Sequence, residues 1–351
     1  MIHPKNLLIV RTDRIGDVVL SLPIAGLVKK KYPDCRITFL LRSYTKALAA
    51  NNPYVDEILT LKESGGIILF WENIKQIKEK KFDSAIIVYP TFKSALIIFL
   101  SQLKFRIGTG YRWYSILFNE KLFEHRKYAG KHELEFNIQL LQKFGINENI
   151  NTENVEFNLA PEPLAEKNVE KTLSAFEVKK NVPIIIFHPG SGGSAIDLPV
   201  DKFKELVNMS VSQLVAEIWI TGSEDELELC DRIASGTAAK NFAGKFDLQE
   251  LIALINKSDI FVSNSTGPLH IAAALGKYTI GFYPKILACS PQRWGPYTSK
   301  KVVFLPQIEC RDCTREQCER LSCMSSINIE EVFNSISKIS KSIHVNGEKN
   351  V

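Results

Sequence analysis

The 351-residue sequence has no apolar run near the roughly 18 residues that a membrane-spanning helix needs. Its best candidate, Ser94 to Leu100, is far too short. Nothing at the start reads as a signal peptide, because Met1-Ile-His-Pro-Lys5 leads straight into the strand-like run Leu7–Val10. A cytoplasmic protein, at most peripheral to a membrane, is the expectation. Neither half opens with a G-x-G-x-x-G fingerprint, which leaves a dehydrogenase only a distant reading, and the glycine-rich loop after Phe187 lacks Walker spacing. Tandem repeats and low-complexity tracts are missing as well. Seven cysteines in a reducing compartment do not make a disulfide scaffold. A net charge of +5 is too mild to call for a nucleic-acid partner.

What is present describes a soluble globular protein, with 45% hydrophobic and 24% charged residues and a length comfortable for two domains. The first half alternates strand-like and helix-like patterns. Strands are expected at Leu7–Val10, Arg36–Leu41, Glu57–Leu61, Ser84–Val88 and Arg106–Gly108. Helices are expected at Gly16–Lys31, with Pro23 a kink or a first turn, near Tyr44–Ala50 and Ile74–Lys80, at Ser94–Leu103 and at His132–Phe144. Asn147 to Pro163 lacks periodicity and reads as the linker. The second half repeats the logic, with strands at Ile184–Phe187, Glu217–Thr221, Asn241–Ala243, Ile260–Ser263 and Thr279–Phe282, and a final amphipathic helix at Ile329–Ile343. Such alternation predicts an α/β fold of two doubly wound, Rossmann-like domains, with ligands in a crevice at the strand ends.

Three loops carry residue types suited to chemistry. The first, Arg11-Thr-Asp-Arg-Ile-Gly-Asp17, follows a strand and opens a helix. A carboxylate there reads either as a general base or as an acidic residue that merely favours the helix dipole. Asp17 is the first choice and Asp13 the second; Arg11 and Arg14 beside them suit an acceptor phosphate or carboxylate, or simple support. The second loop, His188-Pro-Gly190-Ser191-Gly192-Gly-Ser194, lets backbone N–H groups approach a phosphate closely. The third, Asn264-Ser265-Thr266-Gly267-Pro268, caps a helix rich in alanine, whose first N–H groups favour an anion. Glu224, after the strand at Glu217–Thr221, is placed to accept hydrogen bonds from ribose hydroxyls, or serves only as a helix N-terminal acid.

The first and third loops together resemble glycosyltransferase family 9, the bacterial lipopolysaccharide heptosyltransferases. Gly16, Asp17 and Pro23 match that family's opening signature, and Thr266-Gly-Pro-Leu-His270-Ile-Ala-Ala-Ala-Leu-Gly276 matches its donor-site signature. The resemblance implies the GT-B architecture, with residues 1–160 binding the acceptor and 161–327 binding the nucleotide-sugar. It also implies a last helix, about 328–345, that packs back on the first domain. It implies inverting, metal-independent transfer of heptose from ADP-heptose to a lipopolysaccharide core acceptor, with Asp17 as the base and no cofactor. The donor would sit against His188, Gly190, Ser191, Gly192, Ser194, Glu224, Lys245, Phe246, Ser265, Thr266, Gly267 and Pro268. Phe246 would pack on adenine and Lys245 would reach a phosphate. His270 reads as structural. No D-x-D triplet appears, which agrees with a metal-free mechanism.

Two positions depart from the family pattern: Ser265 stands where an acid is usual, and Ile196 where a basic residue is usual. They motivate the rival readings, a transferase for another nucleotide-sugar or a non-catalytic nucleotide-sugar or glycan binder of the same fold. Basic residues concentrate in the first half, at Lys29–Lys31, Lys78–Lys81, Lys104, Arg106 and Arg112. They read as a solvated face, or as attraction to an anionic acceptor or to the inner membrane. Arg106 and Arg112 join Arg11 and Arg14 as acceptor candidates. Finally, Cys310, Cys313, Cys318 and Cys323 form a compact cluster, which reads as a structural Zn²⁺ or iron site or as reduced buried thiols.

Overall fold

The computed structural model describes residues 2–124, 126, 130–309 and 313–348. The chain forms two compact units, Met1–Leu159 and Ala160–Val351.

In the first unit, β1 (Asn6–Val10) is the central strand, with Leu7, Leu8 and Ile9 wholly buried. A run that is apolar on both faces needs cover on both, which a parallel sheet receives from its crossover helices. After β1 come α1 (Ile15–Val19), α2 (Pro23–Lys31), β2 (Arg36–Leu41) and β3 (Glu57–Thr60). A small antiparallel pair follows, β4 (Glu63–Ser64) and β5 (Ile67–Ile68), and then α3 (Phe70–Glu79), β6 (Ser84–Ile87) and α4 (Phe92–Leu100). The unit continues with β7 (Phe105–Thr109), β8 (Glu120–Leu122) and α5 (Glu133–Gln139). The six-stranded parallel sheet has the order β3-β2-β1-β6-β7-β8. Its order reverses between β1 and β6, so the loops leaving their C-terminal ends flank the position where open α/β sheets bind ligands.

The single helix expected at Gly16–Lys31 is two, α1 and α2, with Pro23 in the first turn of the second. Proline has no N–H to donate, so it starts a helix more easily than it continues one. The segment near Tyr44–Ala50 is a 3-10 turn, Ser43–Ala49. The helix expected at His132–Phe144 ends as a 3-10 turn, stopped by Gly145 at φ 70.

The second unit opens with α6 (Pro163–Leu173), β9 (Ile184–His188), α7 (Val200–Gln213), β10 (Glu217–Ile220) and α8 (Leu227–Ala234). It continues with β11 (Lys240–Asn241), α9 (Leu248–Lys257), β12 (Ile260–Asn264), α10 (Gly267–Ala274) and β13 (Tyr278–Phe282). The last elements are α11 (Pro291–Trp294), β14 (Lys301–Phe304), α12 (Arg315–Arg320) and α13 (Ile329–Glu348). The sheet is again parallel and six-stranded, in the order β11-β10-β9-β12-β13-β14, and reverses between β9 and β12. Val332, Phe333 and Ile336 of the final helix, α13, lie in the core of the second unit, beside Phe203, Leu206 and Val207 of α7. Its apolar stripe is buried there, which is reason enough for the helix to form.

Candidate active site

In the first unit, the loop leaving β1 carries a buried charge cluster. Arg11 is wholly buried, with Nε 2.8 Å from Asp13 Oδ1. One terminal nitrogen bonds Asp17 Oδ1 and lies 4.0 Å from Glu133 Oε1, while the other donates to Asn137 Oδ1 at 3.4 Å. Arg126 pairs with Glu133 from the other side. Two cations against three carboxylates leave one net negative charge, so the cluster has capacity to take a proton. Burial, helped by the charge of Asp17 and opposed by Arg11, pushes the Asp13 carboxyl up to about 6. The side chains of Asp13 and Asp17 are 24% and 17% exposed, so both remain reachable.

This arrangement corrects the expectation for Arg11. Its guanidinium is spent on carboxylates and positions Asp17 rather than presenting itself to an acceptor. It also supplies the positive charge beside Asp17, since α1 is five residues long and has little dipole to offer. Arg106 is likewise redirected. Its Nε donates to the Leu117 carbonyl at 2.9 Å and Nη1 to that of Leu103 at 2.6 Å, near the N-terminal end of β7. The parallel strands release their ligand loops at the opposite end. Arg14 and Arg112 are exposed beyond the C-terminal ends of β1 and β7. Arg112 helps line a cavity of about 280 Å³, with Val88, Tyr89, Pro90, Thr109 and Arg126. The Tyr89 ring lies 5.8 Å from the Arg11 guanidinium, so this cavity adjoins the Asp17 cluster.

In the second unit, the loops leaving β9 and β12 are tied together. Asn264, wholly buried, accepts from Leu198 N at 2.9 Å and donates to the Pro189 carbonyl at 2.6 Å, spanning both ends of the glycine-rich loop. Ser194 Oγ lies 2.7 Å from the Ser191 carbonyl and 3.3 Å from that of Ser265. Gly192 and Gly193 turn the loop at φ 53 and 73, a left-handed conformation that favours glycine. At the start of α10, Thr266 makes no side-chain capping bond; its hydroxyl lies 3.0 Å from Ser263 Oγ instead. The first N–H groups of the helix are therefore left for another partner. One turn in, His270 is buried with Nδ1 unpartnered, and burial lowers its pKa to about 4, which keeps the ring neutral.

Several donor candidates change role. His188 is buried, 3.0 Å from Thr221 Oγ1 through Nδ1 and stacked on Phe261, and burial lowers its pKa to about 4. It supports the strand ends rather than offering a charge. Glu224 is exposed, and Glu226, two residues on, faces the glycine-rich loop. Its carboxylate accepts from Gly192 N at 3.2 Å and Ser223 N at 2.8 Å. Burial works against that charge, but these N–H groups hold Glu226 below the usual carboxylate range. Lys245 is exposed, and Phe246 rests on Phe242 with ring centroids 5.8 Å apart. Ile196 packs against the hydrophobic core. The cation that does reach the loop is Arg315 of α12, which donates to the carbonyls of Gly193 at 3.5 Å and Ala195 at 3.1 Å.

Of the cysteine cluster, Cys310 lies outside the described residues. Cys318 and Cys323 are buried and Cys313 is half-buried. Among the described residues, no group of three or more His, Cys, Asp or Glu side chains is arranged to hold a metal ion.

Comparison with known proteins adds to this geometry. The model of glycosyltransferase family 9 (heptosyltransferase) matches residues 70–323, a span that begins after the Asp17 loop. A Haemophilus influenzae protein provisionally named a glycosyltransferase is 27% identical over 318 residues, 86% of this chain and 89% of that one. The lipopolysaccharide core heptosyltransferase OpsX of the same organism is 25% identical over 363 residues, 96% of this chain and 97% of that one. The solved Escherichia coli ADP-heptose lps heptosyltransferase II has the same fold, with a TM-score of 0.75 at 19% identity, covering 96% of this chain and 99% of the other.

Proposed function

This chain belongs to glycosyltransferase family 9 (heptosyltransferase), and from that premise we propose that it transfers heptose from ADP-heptose to a lipopolysaccharide core acceptor, with inversion and with Asp17 as general base. It is a glycosyltransferase with the α/β, GT-B fold class of that family. The second unit takes the donor and the first the acceptor. The observation that carries the reading is the uncapped start of α10, tied to the glycine-rich loop through Asn264 and Ser194. A diphosphate there meets helix N–H groups, loop N–H groups and the charge of Arg315, which stabilise the departing ADP without a metal ion. Glu226, rather than Glu224, takes the ribose hydroxyls, and Phe246 packs on the base.

In the first unit, the acceptor enters the cavity beside Arg112 and Arg126, with Arg14 at its approach. Asp17 takes the proton from the attacking hydroxyl as that oxygen displaces ADP from the opposite face of the anomeric carbon. Arg11 holds one oxygen of Asp17 and leaves the other for the acceptor. A core acceptor carried on lipid puts the enzyme at the cytoplasmic face of the inner membrane.

Calorimetric titration with ADP, UDP, GDP and CMP tests the donor. ADP is expected to bind best, and folded protein that binds none of them would sink the donor site. Asp17→Asn is expected to abolish transfer while ADP affinity stays within a few-fold; unchanged turnover would remove Asp17 as the base. Ile196 packed against the core and Ser265 in place of an acid favour a second reading, a transferase for another nucleotide-sugar, and preference for UDP, GDP or CMP would select it.

A further inference from the structure

One face of the first unit exposes large apolar side chains that packing within the chain does not explain. Phe92 and Phe99 of α4 are 41% and 40% exposed, seven residues and so two helical turns apart on one side. Beside them, the 3-10 turn Trp113–Leu117 presents Trp113 and Ile116, 76% and 79% exposed. Side chains three apart eclipse in a 3-10 helix, so these two project together. The Phe92 and Trp113 rings meet with centroids 4.8 Å apart, which joins helix and turn into one patch. Tyr114 Oη donates to the Pro90 carbonyl at 2.6 Å and pins the turn in place.

The segment that builds this patch carries charge of one sign, and Glu124 joins Arg112 and Arg126 in the lining of the adjoining cavity. From Ser84 to Asn119 the sequence holds Lys93, Lys104, Arg106 and Arg112 and no carboxylate. Lys93, Lys104 and Arg112 are exposed. The patch also runs into the cavity assigned to the acceptor, because Phe92 follows Tyr89 and Pro90 of its wall and Trp113 follows Arg112. An exposed apolar patch rimmed by cations is what the boundary between lipid headgroups and acyl chains accepts, with tryptophan favoured there. No helix among the described residues is long and apolar enough to cross a membrane, so contact would be at the surface. A two-fold contact between copies of this chain through this face would instead bring two copies of the same basic rim together, which like charges oppose.

We propose that this face docks the protein on an anionic lipid bilayer, with Phe92, Phe99, Trp113 and Ile116 lodged at the headgroup boundary and Lys93 and Lys104 on lipid phosphates. The docking face deepens the membrane placement proposed above, on which it rests, and sets the acceptor cavity at headgroup level.

The test is co-sedimentation of the full chain with phosphatidylcholine vesicles, with and without phosphatidylglycerol. Binding is expected only with phosphatidylglycerol present, and salt should release it. Trp113→Ser with Ile116→Ser is expected to weaken binding at least about tenfold. Lys93→Ser and Lys104→Ser should cost about fivefold each. All four side chains are exposed, and circular dichroism checks that the variants fold. Wild-type protein that ignores anionic vesicles, or binding that the Trp113/Ile116 variant leaves unchanged, overturns the assignment. So does a dimer by light scattering that Trp113→Ser dissolves, since the face would then join two copies. ADP titration of the same samples separates the two claims. Patch-dependent vesicle binding without ADP binding would remove the donor site and leave the docking face standing; the converse would remove the face alone.

Discussion

Replacing Gly190 by alanine puts a methyl group where the Glu226 carboxylate now lies. A Cβ at this position would stand 1.9 Å from Glu226 Oε1 and 2.0 Å from its carboxyl carbon, far inside contact distance. Glu226 ends a flexible side chain, so the backbone need not yield. The carboxylate can swing out, and the cost is then the loss of its bonds from Gly192 N and Ser223 N, 3.2 and 2.8 Å long. Hydrogen bonds to a charged group are worth about 1.5–3 kcal/mol each. Because the half-buried carboxylate regains water once displaced, the net destabilisation expected is about 1–3 kcal/mol. Urea unfolding followed by fluorescence reads it, since Trp219 is buried in the same sheet. Glu226→Ala alone should cost a similar amount. The double variant Gly190→Ala/Glu226→Ala should cost less than the sum by about 1 kcal/mol, because one substitution displaces the group the other deletes. Costs that add within about 0.3 kcal/mol, or a Gly190→Ala variant as stable as wild type, would refute the reasoning.

Arg11→Met strips the buried guanidinium from Asp13 and Asp17, and should cost about 3–5 kcal/mol at neutral pH, less in acid as the carboxylates take up protons; unfolding at two pH values checks this. Asp13 carries a second, opposite pH effect. Its folded pKa of about 6 stands above the ordinary 3.8, so the folded state keeps the proton longer and loses stability as pH rises between those values. Asp13→Asn should therefore gain on the order of 2–3 kcal/mol over wild type at pH 7, a gain that fades near pH 4; a gap that does not change with pH contradicts it. Arg315→Gln should weaken ADP binding about fivefold by calorimetry with Arg315→Lys in between, and equal affinities would show that the loop needs no cation from α12.

The apolar runs Leu7–Val10 and Ile260–Ser263, bounded by turn residues, told in the sequence alone that both units are parallel sheets, because a strand buried on both faces leaves a continuous hydrophobic stretch. The loops carrying Asp17, Ser191 and Thr266 were legible for the same local reason: each follows such a run directly. Two short edge strands, β8 and β14, left no comparable mark, since half-buried residues at an edge carry little periodicity. Tertiary structure alone decided which charges are available. Arg11 reads like any basic loop residue until Glu133 and Asn137 of α5 fold against it. Glu224 and Glu226 lie in one 3-10 turn, and only its orientation selects the second to face the glycine-rich loop. Arg315 reaches that loop from 120 residues away. Spacing along a chain records which way neighbouring side chains point; which distant charge they meet is set by the packing of whole elements, and that is where a site acquires its electrostatics.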